Sequence, residues 1–175
     1  MLNKSLDSDS TPAYFFDKLK DISPADIRAM GAKAAAIDID NTCSYDFGLT
    51  PFKTSKQWVR DMLRSGIPVV ILTNTYVWRA KRMSEQLENI PYIAKADKPA
   101  KEGYLKAAAL AGVNINELAM IGDQLFTDIQ GANGVGAISV RVRYTRREVL
   151  MGIRYRFLRR REKKYLEKAG YGDKV

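Results

Sequence analysis

Histidine is absent from all 175 residues of the chain. This absence excludes histidine bases, phosphohistidine intermediates and histidine metal ligands. The single cysteine, Cys43, excludes an internal disulfide, and there is no uncharged apolar run of about 18 residues that could span a bilayer. The first eleven residues lack the apolar segment of a secretory signal. Polar chemistry must therefore come from carboxylates, hydroxyls, lysines or a bound ion, and we expect a cytoplasmic protein.

Acidic residues are scarce at the C-terminal end. Residues 1–140 hold 16 basic and 16 acidic side chains, whereas residues 141–175 hold 13 basic and 4 acidic ones, so the whole net charge of +9 lies in the last fifth. A charge run of this kind is often only a solvated face. It also indicates a polyanionic neighbour, such as a phospholipid surface or a nucleic acid.

Strand and helix patterns alternate from about residue 22 onward. Strands are predicted by the runs AAAIDI, IPVVILT, PYIA, ELAMIGD and VGAISVRV, with helices between them. The helix QLFTDIQGANG is predicted to end at Asn133 and Gly134. This order is typical of an α/β fold, and we predict a Rossmann-like three-layer α/β/α arrangement around a central, mostly parallel sheet.

Four polar clusters follow predicted strands, at the edge where open α/β sheets bind ligands. They are DIDNT at 38–42, TNT at 73–75, the lysine of ADKP at 98, and GDQLFTD at 122–128. Each cluster alone is common in turns and helix starts. Their shared position at strand ends predicts one site.

The residue types in these clusters suit a phosphoryl group and a cation. Asp38 and Asp123 follow different strands, and close carboxylates repel each other unless a cation lies between them. Oxygen ligands alone favour Mg²⁺, which is usually held by one or two carboxylates plus a substrate phosphate. Lys98 and the polar groups of Thr73 and Asn74 would suit the remaining phosphate oxygens.

Asp38 and Asp40 can divide the chemistry between them. Residues two apart in an extended segment point to the same side. One carboxylate could therefore attack phosphorus while the other protonates the leaving oxygen and later activates water.

The motifs DIDNT, ILTNT, DKP and IGDQLFTD resemble the four motifs of the haloacid dehalogenase superfamily of phosphatases, over about residues 33–140. The resemblance implies that Asp38 is the nucleophile that forms an aspartyl-phosphate and that Asp40 is the general acid/base. It also implies that Thr73 and the following Asn74 bind phosphate, and that Lys98 steadies the nucleophile and the transferring phosphate.

The same resemblance implies a metal site. Asp38, the backbone carbonyl of Asp40, and Asp123 would hold Mg²⁺. Asp128, the second acid of the last motif, would order the waters of the ion or Lys98.

The intervals between the motifs are too short for a cap domain, with about 30 residues from DIDNT to TNT and about 23 from TNT to Lys98. In this superfamily a capless member, subclass IIIA, has an open site and acts on large substrates. The variants DNT, GDQLFTDIQGAN and the basic end are similar to the YqeG-like phosphatases, related to phosphatidylglycerophosphate phosphatases. This resemblance implies a lipid phosphate as substrate.

The stretch YTRREVLMGIRYRFLRRREKKYLEK predicts a basic C-terminal helix. Val149, Ile153 and Phe157 recur at helical spacing with Leu150 and Leu158 beside them, so we expect this stripe to dock on the core. Arg146, Arg147 and the basic residues from Arg154 through Lys168 would then form a solvated face. That face could approach anionic lipid, since each basic residue near such a surface contributes about 1 kcal/mol.

We therefore divide the chain into an N-terminal segment at 1–20, a phosphatase domain at 21–145 and a basic helix and tail at 146–175. The expected partner is a phosphorylated substrate, large or lipid, with peripheral contact to an anionic membrane surface. The alternative is a phosphatase-like protein whose basic end binds RNA or DNA, where Tyr155, Phe157 and Tyr165 could stack on bases. Action on a nucleic-acid phosphate or a phosphoprotein stays open as well.

Overall fold

A computed structural model of the chain describes residues 10–143 and 152–172, with side chains in the last helix from residue 156 onward. The strands are β1 (Tyr14–Phe16), β2 (Ala34–Ile37), β3 (Val69–Leu72), β4 (Tyr92–Ile93), β5 (Leu118–Gly122) and β6 (Ile138–Val142). The helices are α1 (Pro24–Ala29), α2 (Lys53–Arg64), α3 (Val77–Gln86), α4 (Lys101–Ala111), α5 (Gln130–Val135) and α6 (Gly152–Lys168). A π-helical turn, Leu125–Ile129, precedes α5.

The six strands of the described residues form one sheet in the order β1-β6-β5-β2-β3-β4, with every pair parallel. Ile37 is paired with Ile71 of β3 and with Ile121 of β5, so these three strands end level with one another. Loops that follow them must start from one edge of the sheet. The outer strand β1 comes from the segment predicted at 1–20, and it pairs along β6.

Helices cover both faces of the sheet. In β2, Ala35 and Ile37 pack in one apolar cluster with residues of α1, α2 and α3, whereas Ala34 and Ala36 pack in another with α4 and α5. This alternation follows from the two-residue period of a strand. The predicted three-layer α/β/α fold is confirmed.

No cap domain interrupts the sheet within residues 10–143. A loop and α2 join β2 to β3, and only α3 and β4 lie between β3 and Lys98. Among the helices described, none is long and apolar enough to cross a membrane.

The predicted end of α5 at Asn133 and Gly134 is wrong. The helix continues through Gly134 to Val135, and Gly136 ends it with a left-handed φ of 76°. The amide of Ala137 then donates to the carbonyl of Ala132 at 2.9 Å. A left-handed residue is needed for this closing turn, and glycine adopts that conformation at little cost.

The predicted docking stripe of the C-terminal helix is also wrong where the structure describes it. Phe157 is 71 % exposed, whereas Leu166 is fully buried against Leu125 and Ile129. The inner face of α6 carries Arg159 and Glu162 beside Leu166, because these two charged groups bond to the loop after β5. Val149, Leu150, Arg146 and Arg147, residues 1–9 and the side chain of Ile153 lie outside the described residues.

Candidate active site

The predicted site residues follow four strands of the sheet. Asp38 comes directly after β2, Thr73 after β3, and Asp123 after β5, while Lys98 lies in the loop between β4 and α4. All four are buried. The parallel order brings the ends of these strands to one edge, so the sequence motifs meet there as predicted.

Lys98 is the centre of this cluster. Its Nζ donates to Oδ1 of Asp38 at 2.8 Å, to Oδ1 of Asp128 at 2.6 Å and to the carbonyl of Leu72 at 2.8 Å. An ammonium group has three protons, so these bonds use its full donor capacity. The lysine therefore fixes the positions of two carboxylates from different motifs.

The surroundings of Asp38 and Lys98 shift the pKa of both groups. Burial raises the pKa of Asp38 to about 6, although the ammonium of Lys98 acts in the opposite direction. Burial also disfavours the charged lysine, but Asp128 and Asp38 outweigh it and raise the pKa of Lys98 above its ordinary value. At neutral pH Asp38 is therefore mainly ionised and Lys98 is charged. A cation near Asp38 would favour its ionised form further.

Asp38, Asp123 and Asp128 form an acidic triad whose ligand oxygens all lie within 4.8 Å of one another. The three residues are buried, and buried carboxylates this close to one another require cations. Their all-oxygen donor set fits a hard divalent ion such as Mg²⁺. Asp128 is a member of this triad. Asp40 was predicted to bind the ion through its backbone carbonyl, and its carboxylate lies outside the triad.

The carboxylate of Asp40 is held by Arg79 of α3, a residue that sequence reasoning missed. Nη1 of Arg79 donates to Oδ2 of Asp40 at 2.9 Å and Nη2 donates to Oδ1 at 2.6 Å, so the pair is bidentate. The guanidinium also donates to the carbonyl of Gly48 at 3.0 Å, which ties it to the loop after Asp40. No sequence signal distinguishes Arg79 from an ordinary arginine on a helix surface.

Thr73 and Asn74 line the end of β3. The amide of Thr75 donates to Oγ1 of Thr73 at 3.4 Å. The side chain of Asn74 bonds to the main chain of Lys98, accepting from its amide at 2.7 Å and donating to its carbonyl at 3.1 Å. The Asn74 side chain thus holds in place the loop that carries Lys98.

The C-terminal helix α6 adds two buried charged residues to this edge. Arg159 forms an ion pair with Asp123, and its Nη1 donates to Oε2 of Glu162 at 2.6 Å. Oε1 of Glu162 accepts from the amide of Leu125 at 2.7 Å. Sequence reasoning assigned Arg159 to a solvated face. The one available signal was Glu162, an isolated acid inside the basic run RRREKK.

The lone thiol, Cys43, lies in the loop that joins β2 to α2. Cys43 is fully buried, and its amide donates to the carbonyl of Ile39 at 3.1 Å. Burial raises the pKa of this thiol far above its ordinary range, and the nearby Asp38 and Asp40 act in the same direction. The thiol is therefore not a nucleophile of this site.

A family model described as haloacid dehalogenase-like hydrolase matches residues 25–136 of the chain. The chain belongs to this family. Membership confirms the predicted superfamily and the predicted hydrolase activity. Haloacid dehalogenase phosphatases use Mg²⁺, and the acidic triad gives this chain a site for the ion, so the predicted cofactor is confirmed.

The chain is similar to one curated relative in sequence and to two solved structures in fold. It is 33% identical over 128 residues to the "Probable phosphatase YqeG" of Bacillus subtilis, covering 71% of this chain and 72% of that one. Its fold is similar to a Legionella pneumophila protein described as a subfamily III A hydrolase, with a TM-score of 0.50, 18% identity and 98% coverage of both chains. It is also similar to the cobalt-bound deoxy-D-mannose-octulosonate 8-phosphate phosphatase of Haemophilus influenzae, with a TM-score of 0.53, 16% identity and coverage of 82% and 92%.

The match to the haloacid dehalogenase-like family ends before α6. Lys98, Asp123 and Asp128 lie inside residues 25–136, whereas Arg159 and Glu162 lie outside them. The contacts of α6 with Asp123 are therefore a feature of this chain that the family match does not describe.

Proposed function

We propose that the protein is a Mg²⁺-dependent phosphomonoester hydrolase that works through an aspartyl-phosphate on Asp38. The observation that carries the proposal is the bridge made by Lys98 between Asp38 and Asp128, next to Asp123. It combines an ionised carboxylate, a fixed cation and a divalent-ion site at one sheet edge. Such an arrangement suits transfer of a dianionic phosphoryl group.

The reaction has two steps. In the first, a carboxylate oxygen of Asp38 attacks phosphorus, the bond from phosphorus to the leaving oxygen breaks, and Asp40 gives that oxygen a proton. In the second, Asp40 takes a proton from water, the water oxygen attacks phosphorus, and the Asp38–phosphorus bond breaks to release inorganic phosphate. Both oxygens of Asp40 bind Arg79, so this arginine must share Asp40 with the substrate during turnover.

The other residues of the site bind and orient the substrate phosphate and the ion. Lys98 steadies Asp38 and the charge on the transferring phosphoryl group, and Thr73 with the backbone at Asn74 would bind phosphate oxygens. Asp38, Asp123 and the carbonyl of Asp40 would hold Mg²⁺, with Asp128 supporting Lys98. When bound, the ion supplies positive charge that offsets the charge of the phosphate oxygens.

We further propose that the substrate is a lipid phosphate such as phosphatidylglycerophosphate. The absence of a cap within residues 10–143 supports an open site that can reach a headgroup at a surface. The helix α6 supports it too, since its inner face contacts Asp123 while Arg156, Arg160 and Lys164 are exposed on its outside. A lipid surface on that helix would lie close to the active site.

A phosphate-release screen tests the proposed activity. Purified protein with Mg²⁺ is offered phosphatidylglycerophosphate, other lipid phosphates, nucleotides and phosphopeptides, and Asp38→Asn serves as the matched variant. We expect release from the lipid phosphate by the wild type and none by Asp38→Asn, whose amide cannot attack phosphorus. Full activity of the folded Asp38→Asn variant would exclude the aspartyl-phosphate mechanism, and preference for another substrate class would exclude the lipid.

Vesicle sedimentation tests the proposed surface. We expect the protein to pellet with vesicles of anionic lipid and to be released at high salt, because the attraction is electrostatic. Equal binding to neutral vesicles would contradict this. Competition by RNA at the same salt concentration addresses the alternative that the basic end binds nucleic acid; displacement of the protein from anionic vesicles would favour that alternative.

A further inference from the structure

The contact of Arg159 with Asp123 joins the C-terminal helix to the metal site. Nη2 of Arg159 bonds to Oδ2 of Asp123, and both residues are buried. We infer that Arg159 is a positioning residue that orients the Asp123 carboxylate toward the divalent ion, so that the docked helix α6 is part of the metal site. This inference rests on the metal site of the proposed function.

The surroundings of Arg159 distinguish this contact from a surface ion pair. Arg159 is 9% exposed and Glu162 is 1% exposed, so neither is screened by bulk water. Glu162 is itself fixed, because it accepts from the amide of Leu125 at 2.7 Å and has Nη2 of Arg141 at 3.7 Å. The guanidinium is therefore held by a carboxylate that is anchored to the loop following Asp123.

Two further contacts link Arg159 and Arg141 to the main chain of the metal ligand. Nε of Arg141 donates to the carbonyl of Asp123 at 3.3 Å, and Nη1 of Arg159 lies 3.5 Å from the same oxygen. These bonds fix the backbone at Asp123 as well as its side chain. A ligand whose backbone and carboxylate are both fixed loses little conformational freedom when it binds an ion.

These contacts also decide whether Arg159 supports the metal site or competes with the ion for Asp123. If Arg159 occupied Asp123 only as a substitute for the ion, it would have to leave when the ion binds. Leaving would separate buried charged groups that are now paired with each other, which is costly. A carboxylate has two oxygens and can bind one cation at each, so Arg159 can stay in place beside the ion.

The expected loss of Mg²⁺ affinity can be judged from other proteins in which a side chain orients a metal ligand without touching the ion. Loss of a group that orients a metal ligand typically lowers metal affinity about 10- to 100-fold. We therefore expect Arg159→Gln to weaken Mg²⁺ binding by at least about tenfold. Arg159→Lys keeps the charge but has no planar fork to reach both Asp123 and Glu162, so it should restore only part of the affinity.

The test measures the dissociation constant of Mg²⁺ by isothermal titration calorimetry, with Mg²⁺ alone added to the full chain and no substrate present. The variants are Arg159→Gln and Arg159→Lys, and the control is Arg160→Gln, which removes the same charge from the exposed side of α6. Circular dichroism and the melting temperature without Mg²⁺ verify folding. Should Arg159→Gln fail to fold, Glu162→Gln weakens the anchor of Arg159 and should lower Mg²⁺ affinity in the same direction.

The possible results distinguish a failure of the inference from a failure of the proposed function. Weaker binding by Arg159→Gln, partial recovery in Arg159→Lys and wild-type binding by Arg160→Gln would support the inference. Unchanged or tighter Mg²⁺ binding by folded Arg159→Gln would overturn it and leave the proposed function intact. If the wild-type chain binds no Mg²⁺, the inference fails together with the Mg²⁺ dependence of the proposed function.

Discussion

Lys98 and Arg159 both place a buried cation against carboxylates at the active-site edge, but they come from different parts of the chain. Lys98 lies in a motif within the family match and joins two carboxylates from other motifs. Arg159 lies on a helix beyond that match and joins Asp123 to Glu162 of its own helix. Lys98 touches the proposed nucleophile Asp38, whereas Arg159 touches the proposed metal ligand Asp123. In the proposed mechanism the reaction uses the charge of Lys98, whereas Arg159 only holds the site in shape.

The largest difference between the two cations should appear on removing Lys98. In Lys98→Met, Asp38 and Asp128 stay buried without their shared cation, which costs about 3–5 kcal/mol of the free energy of unfolding. Because the proposed mechanism also has Lys98 stabilise charge on the transferring group, we expect kcat to fall about 10²- to 10³-fold. Urea unfolding without divalent ions and phosphate-release kinetics measure the two effects.

The matched control for Lys98→Met is Lys101→Met, which removes an exposed lysine three residues later. It should leave kcat and stability near wild type. If both variants behaved alike, the central position assigned to Lys98 would be wrong.

The docking of α6 should depend on Leu166 and not on Phe157. Leu166 is fully buried, so Leu166→Ala should lower the free energy of unfolding by about 2–5 kcal/mol. Phe157 is 71 % exposed, so Phe157→Ala should change stability by less than about 0.5 kcal/mol. Urea denaturation of both variants checks this. Equal losses would mean that the predicted apolar stripe also docks.

Gly122 ends β5 and lies directly before Asp123, the partner of Arg159. A Cβ at this position would overlap the side chain of Asp128. Gly122→Ala should therefore shift Asp128 away from Lys98, cost about 1–3 kcal/mol of stability and lower kcat.

Gly134→Ala is the control for Gly122→Ala, because its added Cβ meets no atom within 4 Å beyond its chain neighbours and the backbone of its own helix, α5. This variant should be more stable than wild type by about 0.5–1 kcal/mol, since alanine favours a helix interior. Thermal melts and kinetics compare the two. Wild-type kcat in Gly122→Ala would contradict the tight approach of Asp128.

The smallest effect should come from the outer face of α6. The double variant Arg160→Gln/Lys164→Gln should weaken binding to anionic vesicles by about 1 kcal/mol per residue. Hydrolysis of p-nitrophenyl phosphate in solution should not change, because neither side chain is placed at the active site. Lys101→Gln/Lys106→Gln on α4 is the charge-matched control. Equal vesicle binding by both double variants would argue against a lipid-facing α6.

The parts of the site that could be predicted depend on local pattern and chain order. Asp38 and Asp123 each follow an apolar run that forms a buried strand, and parallel strands bring such ends together. Lys98 precedes a proline and a helix in the same alternating order. These signals lie within a few residues, so they can be read without knowing tertiary contacts.

The parts that could not be predicted depend on contacts distant in sequence. Arg79 lies 39 residues from Asp40 and Arg159 lies 36 residues from Asp123, and nothing near either arginine indicates its partner. A helix rich in arginine has several faces that look alike, and the inner one is chosen by packing. The end of α5 was misplaced because Gly134 and Gly136 are both plausible, and only Gly136 takes the left-handed conformation.

Cys43 gives this protein a built-in reporter. The chain has one thiol, it is fully buried, and burial raises its pKa, so alkylating reagents cannot modify it while the loop from Asp38 to Gly48 keeps its structure. A molecule that becomes labelled must have opened at that loop or unfolded entirely. The rate of thiol labelling, with or without Mg²⁺ and substrate, therefore measures how often this loop opens or the chain unfolds, at a single position and with no engineered probe.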